Sequence, residues 1–226
     1  MQIFILNGGL GKRVKKISLN KPKCLIEFNN KPFLYYQLNL LKKNGFKDIV
    51  LCLGYKSNQI LKYLKINHKL YKNIRWTKES KKLDTGGALI NSKKLMNDFF
   101  FVTFGDSYLD IDYKKILKLF NQKNKYSALI TVIKKEKVPY HKPNLLIKKN
   151  KLIAYSKGKN SNFIDYGLMI FNKSVFKNYS LKKITLKTVI RKLIKNNSVR
   201  FIIIDKKFNE IGSKYGIEDF KNLINK

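Results

Sequence analysis

The stretch Ile3-Phe4-Ile5-Leu6-Asn7-Gly8-Gly9-Leu10-Gly11-Lys12-Arg13 decides how the rest of the chain is read. Ile3 to Leu6 are apolar without interruption and read as a short buried strand. They run straight into a glycine-rich turn. Gly8, Gly9 and Gly11 let the backbone take positive φ and bring its N–H groups close to a ligand. Successive N–H groups in such a turn form a concave, partly positive anion site. Arg13 adds a permanent, planar cation suited to phosphate oxygens. The stretch reads as a loop for a nucleoside triphosphate, with an ordinary glycine-rich turn between strand and helix as the alternative. It has neither the Walker A pattern G-x-x-x-x-G-K-[ST] nor the dinucleotide pattern G-x-G-x-x-G with its later acidic residue.

Outward from this stretch, apolar strands and amphipathic helices alternate. Pro32 to Leu41 has helical spacing, with Pro32 suited to a first turn and Gly45 to a stop. Asp48 to Leu53 reads as a strand, Ser57 to Leu64 as a helix and Ile74 to Thr77 as a strand. A helix is expected from Ala88 to about Met96, then a strand from Phe99 to Phe104 that ends at Gly105-Asp106. This alternation predicts a mostly parallel sheet flanked by helices. Ligands on such sheets sit at the carboxyl ends of the strands. The second half is less regular. Tyr126 to Lys134, Ile164 to Phe171 and Arg200 to Ile204 read as strands, Asn144 to Tyr155 as a hairpin turning near Lys149-Asn150, and Leu186 to Ile194 and Ile217 to Asn225 as helices. No internal repeat or linker stands out, so residues 1–226 are expected to form a single domain.

Composition narrows the function classes. The chain has 226 residues, 44% of them hydrophobic, enough for a sizeable core. No apolar run approaches the roughly 20 residues of a membrane span, and no signal peptide is expected, since the N-terminus lacks a basic region followed by an apolar segment and a cleavage site. Cys24 and Cys52 fit no metal spacing and read as buried thiols of a cytoplasmic protein. The formal net charge is +35, yet only four of the 49 basic residues are arginines. The lysines are dispersed, which suits a solvated surface better than base-edge or bidentate phosphate recognition. No specific nucleic acid and no membrane partner is expected.

The short motifs gain meaning from their order. G-G-L-G-K-R at residues 8–13 is followed by K-P-K at 21–23, L-D-T-G-G-A at 83–88 and F-G-D-S at 104–107. I-D-Y-G at 164–167, N-E-I-G-S at 209–213 and I-E-D-F at 217–220 complete the series. The series closely resembles the sugar-1-phosphate nucleotidylyltransferases, the enzymes that make nucleoside-diphosphate sugars, and covers nearly the whole chain. Among small members it looks most like the heptose or mannose 1-phosphate guanylyltransferases. The resemblance implies a Rossmann-like three-layer α/β fold with a mostly parallel mixed sheet. It also implies transfer of an NMP from an NTP to a sugar 1-phosphate with release of pyrophosphate, dependence on Mg²⁺, and a place in nucleotide-sugar and polysaccharide synthesis. A homo-oligomer is open. After Glu210 one helix is expected and no hexapeptide-repeat β-helix, so a monofunctional enzyme is expected.

Roles follow from the matched positions. Both reactants are anions, so catalysis is mainly positioning and charge neutralisation. Arg13 and the loop around Leu6, Gly8, Gly9 and Gly11 would hold the nucleotide phosphates, and Lys23 would be a second cation at the α-phosphate. Asp106, after Gly105, would be a catalytic carboxylate and metal ligand, and Glu210 the second ligand, since Mg²⁺ takes one or two carboxylates plus phosphates and water. Gly86 and Gly87 stand where the family reads the base, and Asp165, Gly167 and Lys157 where it meets the acceptor. For each, a structural reading stands beside the functional one: a solvated lysine or glutamate, a turn role for Asp106, a helix N-cap at Asp84 or Thr85, a buried hydrogen-bonded carboxylate at Asp165. Lys12 replaces the usual Thr or Ser, Asp84 replaces a Gly, and Glu210 an Asp. Asp165-Tyr166 departs from the usual N-G-G or N-A-G, which leaves a phosphorylated non-sugar acceptor open. A catalytically silent binding domain is the rival from another class.

Overall fold

A computed structural model describes residues 1–9, 14, 21–122, 126–156 and 160–225. Leu10, Gly11, Lys12, Arg13 and Lys157 lie outside the described residues. Two compact units share the chain: Met1–Lys82, Thr103–Asp110 and Phe208–Lys226 in the first, Leu83–Val102 and Ile111–Lys207 in the second.

The first elements are β1 (Gln2–Asn7), β2 (Glu27–Phe28), β3 (Lys31–Pro32), α1 (Phe33–Lys43), β4 (Asp48–Leu53), α2 (Ser57–Ile66), the four-residue α3 (His68–Tyr71) and β5 (Ile74–Lys78). Next come α4 (Asp84–Asn91), β6 (Phe99–Phe104), β7 (Ser107–Tyr108), α5 (Tyr113–Asn121), β8 (Ala128–Lys134), β9 (Leu145–Lys148) and β10 (Lys151–Tyr155). The chain continues with β11 (Phe163–Asn172), α6 (Leu186–Lys195), β12 (Val199–Ile203), β13 (Asn209–Glu210) and α7 (Lys214–Ile224).

In the first unit β1 pairs with β4 and β4 with β5, all parallel, in register from Gln2–Asp48 to Asn7–Leu53 and from Ile49–Ile74 to Leu53–Lys78. Every residue of β1 is buried, as its unbroken apolar run predicts for a strand covered on both faces. Pro32 takes the N-cap position of α1 rather than its first turn, and Gly45 follows the helix with its N–H on Lys42 O at 2.9 Å. Phe28, Phe33 and Phe220 form a ring cluster with edge-on contacts at centroid distances of 4.9–6.4 Å, joined by Tyr36 and Tyr108. This cluster ties α7 to α1, to the β2–β3 ribbon and to β7.

In the second unit β8 pairs antiparallel with β11 and parallel with β12, and β9 and β10 form an antiparallel hairpin. Lys149 and Asn150, at φ 44° and 56°, make its turn, the left-handed pair that matches strand twist. The architecture is the mixed α/β class expected, and the strands read from the sequence lie within two residues of their observed bounds. Both cysteines are buried thiols outside any disulfide, and burial pushes the Cys24 thiol up to about 12. No described helix is long and apolar enough to cross a membrane. The described arginines serve the fold: Arg75 makes a forked bond to Asp48, and Arg191 and Arg200 donate to the carbonyls of Tyr155 and Leu119.

Three differences from the sequence reading have local causes. Helix α4 starts at Asp84, not Ala88, so the glycines belong to its first turn. Helix α7 starts at Lys214, not Ile217, because Ser213 caps it by accepting the Gly216 N–H at 3.0 Å. Helix α5 was not expected at all. Its signal is Asp112, which accepts the Lys115 N–H at 2.9 Å, ahead of buried Tyr113, Ile116 and Phe120.

Phe220 has no exposed surface and touches four rings of the first unit. Phe220→Ala is expected to lower unfolding free energy by about 3–5 kcal/mol, read as a lower midpoint in a urea titration.

Candidate active site

The centre of the site is the turn Phe104-Gly105-Asp106-Ser107, between β6 and β7 in the first unit. Four of its backbone groups are tied down by other elements. Gly105 N–H donates to Leu6 O at 3.0 Å, and Ile211 N–H donates to Asp106 O at 2.9 Å. The carbonyls of Phe104 and Ser107 both accept from Gln37 Nε2, at 2.9 and 2.7 Å. Gly105 is required on packing grounds: a Cβ there would lie 1.9 Å from Asn7 Oδ1. Leu6 and Asn7 thus hold the turn from β1, and Gln37 holds it from α1.

The Asp106 carboxylate meets Lys23 in an ion pair, Nζ to Oδ2. Lys23 stands on a short 3-10 turn, Lys23–Leu25, which buries Cys24 and Leu25 beneath it. The turn closes through Leu25 N–H on Pro22 O at 2.8 Å and Ile26 N–H on Lys23 O at 2.9 Å. The lysine and aspartate side chains are 18% and 21% exposed. That is buried enough for the pair to feel a reduced dielectric and open enough to reach a ligand.

Glu210 comes to the same turn through the β7–β13 ladder, in register Glu210–Ser107 and Asn209–Tyr108. Its carboxylate accepts from Gly212 N–H and from Ser213 Oγ. Ser213 therefore links the carboxylate to the cap of α7. A carboxylate offers about four lone-pair sites, so Glu210 keeps acceptor capacity. Among the described residues no group of three or more His, Cys, Asp or Glu gathers in one place. Two carboxylates, one on the turn before β7 and one on its partner strand β13, suit a hard cation that completes its shell with water and phosphate. The donor set fits Mg²⁺.

Leu6 lies at the carboxyl end of β1 and Gly8 just past it, and a Cβ on Gly9 would meet no described atom within 4 Å. The carboxylate of Glu79, just past β5, stands beside Gly8, 3.2 Å from where a Cβ would sit. The structure therefore brings Leu6, Gly8, Lys23, Gly105, Asp106 and Glu210 into one unit.

Gly86, Gly87, Asp165 and Gly167 belong to the second unit. The N–H groups of Gly86 and Gly87, the residues matched to the family's base-reading turn, both donate to Ile184 O, each at 2.9 Å. Thr85 does not cap α4 either. Its Oγ1 accepts from Leu186 N at 2.8 Å, the first amide of α6, while Thr185 caps that helix on Thr188 N. The two helix starts satisfy one another, and the glycines let them meet: a Cβ on Gly87 would lie 2.5 Å from Lys182 O. Asp84 takes φ 59°, the left-handed region, which explains why a glycine commonly stands at this position and why Asp is tolerated.

Asp165 opens an irregularity in the β8–β11 pairing that ends at Met169, with Gly167 at φ 94° inside it. One carboxylate oxygen accepts from Tyr155 OH and the other from Gly167 N–H at 2.9 Å. Burial raises the Asp165 pKa above its ordinary 3.8, against these two hydrogen bonds. Tyr155 is pushed up by burial and by the neighbouring carboxylate. Asp165 is thus a half-buried carboxylate held by hydrogen bonds.

Sequence reasoning missed Asn7, Gln37 and Ser213. Asn7 and Gln37 carry a legible signal, a polar residue inside an otherwise apolar buried stretch.

A strand running into a glycine-rich turn, a lysine and two carboxylates on an α/β scaffold are the kinds of groups a phosphoryl-handling enzyme uses. A family model described as nucleotidyl transferase matches residues 3–223, and the chain belongs to that family. The D-glycero-alpha-D-manno-heptose 1-phosphate guanylyltransferase of Campylobacter jejuni is 30% identical over 223 residues, which span 94% of this chain and 95% of the relative. The mannose-1-phosphate guanyltransferase of Hypocrea jecorina is 33% identical over 191 residues, 80% of this chain and 52% of the relative, so the match takes in about half of that protein. HddC from Yersinia pseudotuberculosis, solved in complex with GMP-PN, superposes with a TM-score of 0.84 at 25% identity, over 99% of each chain.

Gly105→Ala forces its methyl group onto Asn7, a clash expected to cost about 1–3 kcal/mol of stability. Adding Asn7→Ala should recover part of that loss, and a double-mutant cycle by chemical denaturation measures it. Asp165 binds its proton more tightly folded than unfolded, so its contribution favours folding at low pH. That contribution is lost as pH rises from 3.8 through the raised folded value. Asp165→Asn should remove this fall, seen as a flatter stability–pH profile above pH 3.8.

Proposed function

We propose that this chain, acting as one nucleotidyltransferase domain in the cytoplasm, transfers a nucleoside monophosphate from an NTP to a sugar 1-phosphate. GTP is the proposed donor, and a heptose or mannose 1-phosphate the proposed acceptor. The observation that carries the reading is the placement of Lys23, Asp106 and Glu210 at one turn beside the carboxyl end of β1. The names and lengths of the relatives support the choice of substrates, above all the heptose 1-phosphate enzyme, which this chain matches over 95% of its length.

The acceptor's phosphate oxygen attacks the α-phosphorus in line. A new P–O bond forms, the bond to the β-phosphate bridge breaks, and pyrophosphate leaves with the electron pair. Lys23 neutralises charge on the α-phosphate and orients it, and Asp106 holds the Lys23 ammonium in place. Arg13 and the glycine-rich turn take the β- and γ-phosphates. Asp106 and Glu210 hold Mg²⁺, which when bound polarises the phosphates and offsets their charge. Asp165 shapes the acceptor side through Tyr155 and the bend at Gly167, and Lys157 contacts the acceptor phosphate.

Pyrophosphate release with Mg²⁺, across the four ribonucleoside triphosphates and dTTP and a panel of sugar 1-phosphates, tests the proposal. GTP with a heptose or mannose 1-phosphate is expected to react. Lys23→Ala should lower kcat by about 10²–10³, the usual loss when one charge-stabilising donor is removed. Silence of the intact protein across the panel would contradict the reading.

A further inference from the structure

We propose that Gln37 is a positioning residue that sets the orientation of the Asp106 carboxylate. Helix α1 buries Phe33, Leu34, Leu38, Leu40 and Leu41, and Gln37 is the one polar side chain on that face. It is 2% exposed. Its Oε1 finds no hydrogen-bond partner among the described residues. Burying an unpaired acceptor is unfavourable, and an apolar side chain of the same length would fill the space without it. What the amide provides is its Nε2, which donates to the carbonyls of Phe104 and Ser107 at 2.9 and 2.7 Å. Those two residues bracket Gly105-Asp106. One amide nitrogen therefore clips both ends of the turn that carries the carboxylate.

The other ties come from the far sides. Leu6 holds Gly105, and Ile211 holds the carbonyl of Asp106 itself. Asn7 Nδ2 and Thr103 Oγ1 are also buried beside this turn and lack partners among the described residues. Polar atoms concentrate here in a region that is otherwise apolar, as expected of a support built for a functional carboxylate rather than for stability. Without the clip, Phe104 and Ser107 carbonyls lose their donor, the turn relaxes and Asp106 swings relative to Lys23 and to Glu210 across the ladder. Gln37 touches no reacting atom and acts through Asp106. The role rests on the reading of Asp106 as a metal-holding carboxylate.

Gln37→Met keeps length and shape and removes the donor. Gln37→Asn keeps an amide that is one methylene too short to reach both carbonyls. The readouts are Mn²⁺ affinity by titration in the presence of GTP without acceptor, kcat and KM for GTP, and Tm, with Asp106→Asn alongside. Supporting partners of metal ligands typically change metal affinity or activity by about 10–100-fold. Both Gln37 variants should therefore bind Mn²⁺ at least about tenfold more weakly and lose kcat in step, with KM for GTP changed by less than about threefold. A folded variant with unchanged Mn²⁺ affinity and kcat would overturn the proposal while leaving the site reading intact. Loss of folded protein in both variants would also overturn it, assigning Gln37 to stability alone. Unchanged Mn²⁺ affinity in Asp106→Asn would sink the metal-site reading, and the role of Gln37 with it.

Discussion

A Cβ on Gly105 would lie 1.9 Å from Asn7 Oδ1, and the placement of the candidate site depends on this close approach. It lets the end of β6 press against the end of β1, where Gly105 N–H donates to Leu6 O, so that Asp106 follows beside the carboxyl end of β1. Asp106 can then meet Lys23 from one direction, and β7 can receive β13 from the other. The ring cluster around Phe220 keeps α7, and through it β13, in place. A carboxylate pair assembled this way depends on close backbone approach and on apolar packing behind it. Among the described residues neither carboxylate is part of a larger acidic cluster.

The same glycine-rich vocabulary does different work in the two units. At Gly9, past the carboxyl end of a parallel strand where α/β proteins bind ligands, a Cβ would meet no described atom within 4 Å, whereas Gly8 packs against Glu79 and Gly54. At Gly86 and Gly87 the room is already taken, because the carbonyls of the 182–184 segment occupy it and accept the freed N–H groups. Helix N-terminal amides need partners wherever they are buried, and here the two helices α4 and α6 supply them to each other through Ile184 and Thr85. The D-T-G-G sequence is thus explained locally by packing and by the left-handed turn at Asp84.

Strand identities were legible because buried parallel strands are long apolar runs bounded by polar or glycine residues, as in Ile3–Leu6 and Phe99–Phe104. The hairpin at Lys149-Asn150 was legible from its turn residues. The two-residue ladders β2–β3 and β7–β13 were not, since two residues carry no periodicity, although β13 is what brings Glu210 to the site. Helix starts were misplaced where the cap was read in the wrong partnership: Thr85 accepts the first amide of α6 rather than capping α4, and Ser213 caps α7 so that it starts at Lys214, three residues before Ile217. Lys23, Asp106 and Glu210 were found by motif order, and their proximity came from the fold. Gln37 was invisible to motif reading because its meaning lies in two backbone carbonyls that are distant in sequence. Asp165 was read as either a contact or a buried carboxylate, and its hydrogen bonds to Tyr155 and Gly167 supply the second description in full.

The central claim is that the turn at Gly105-Asp106 and the ladder carrying Glu210 hold the metal of a nucleotidyl transfer site. Anomalous diffraction from crystals grown with Mn²⁺ and a non-hydrolysable GTP analogue tests it most directly. The account predicts an anomalous peak shared by the Asp106 and Glu210 carboxylates, with the nucleotide phosphates on the same ion. A bound nucleotide whose metal peak lies away from both carboxylates would contradict it.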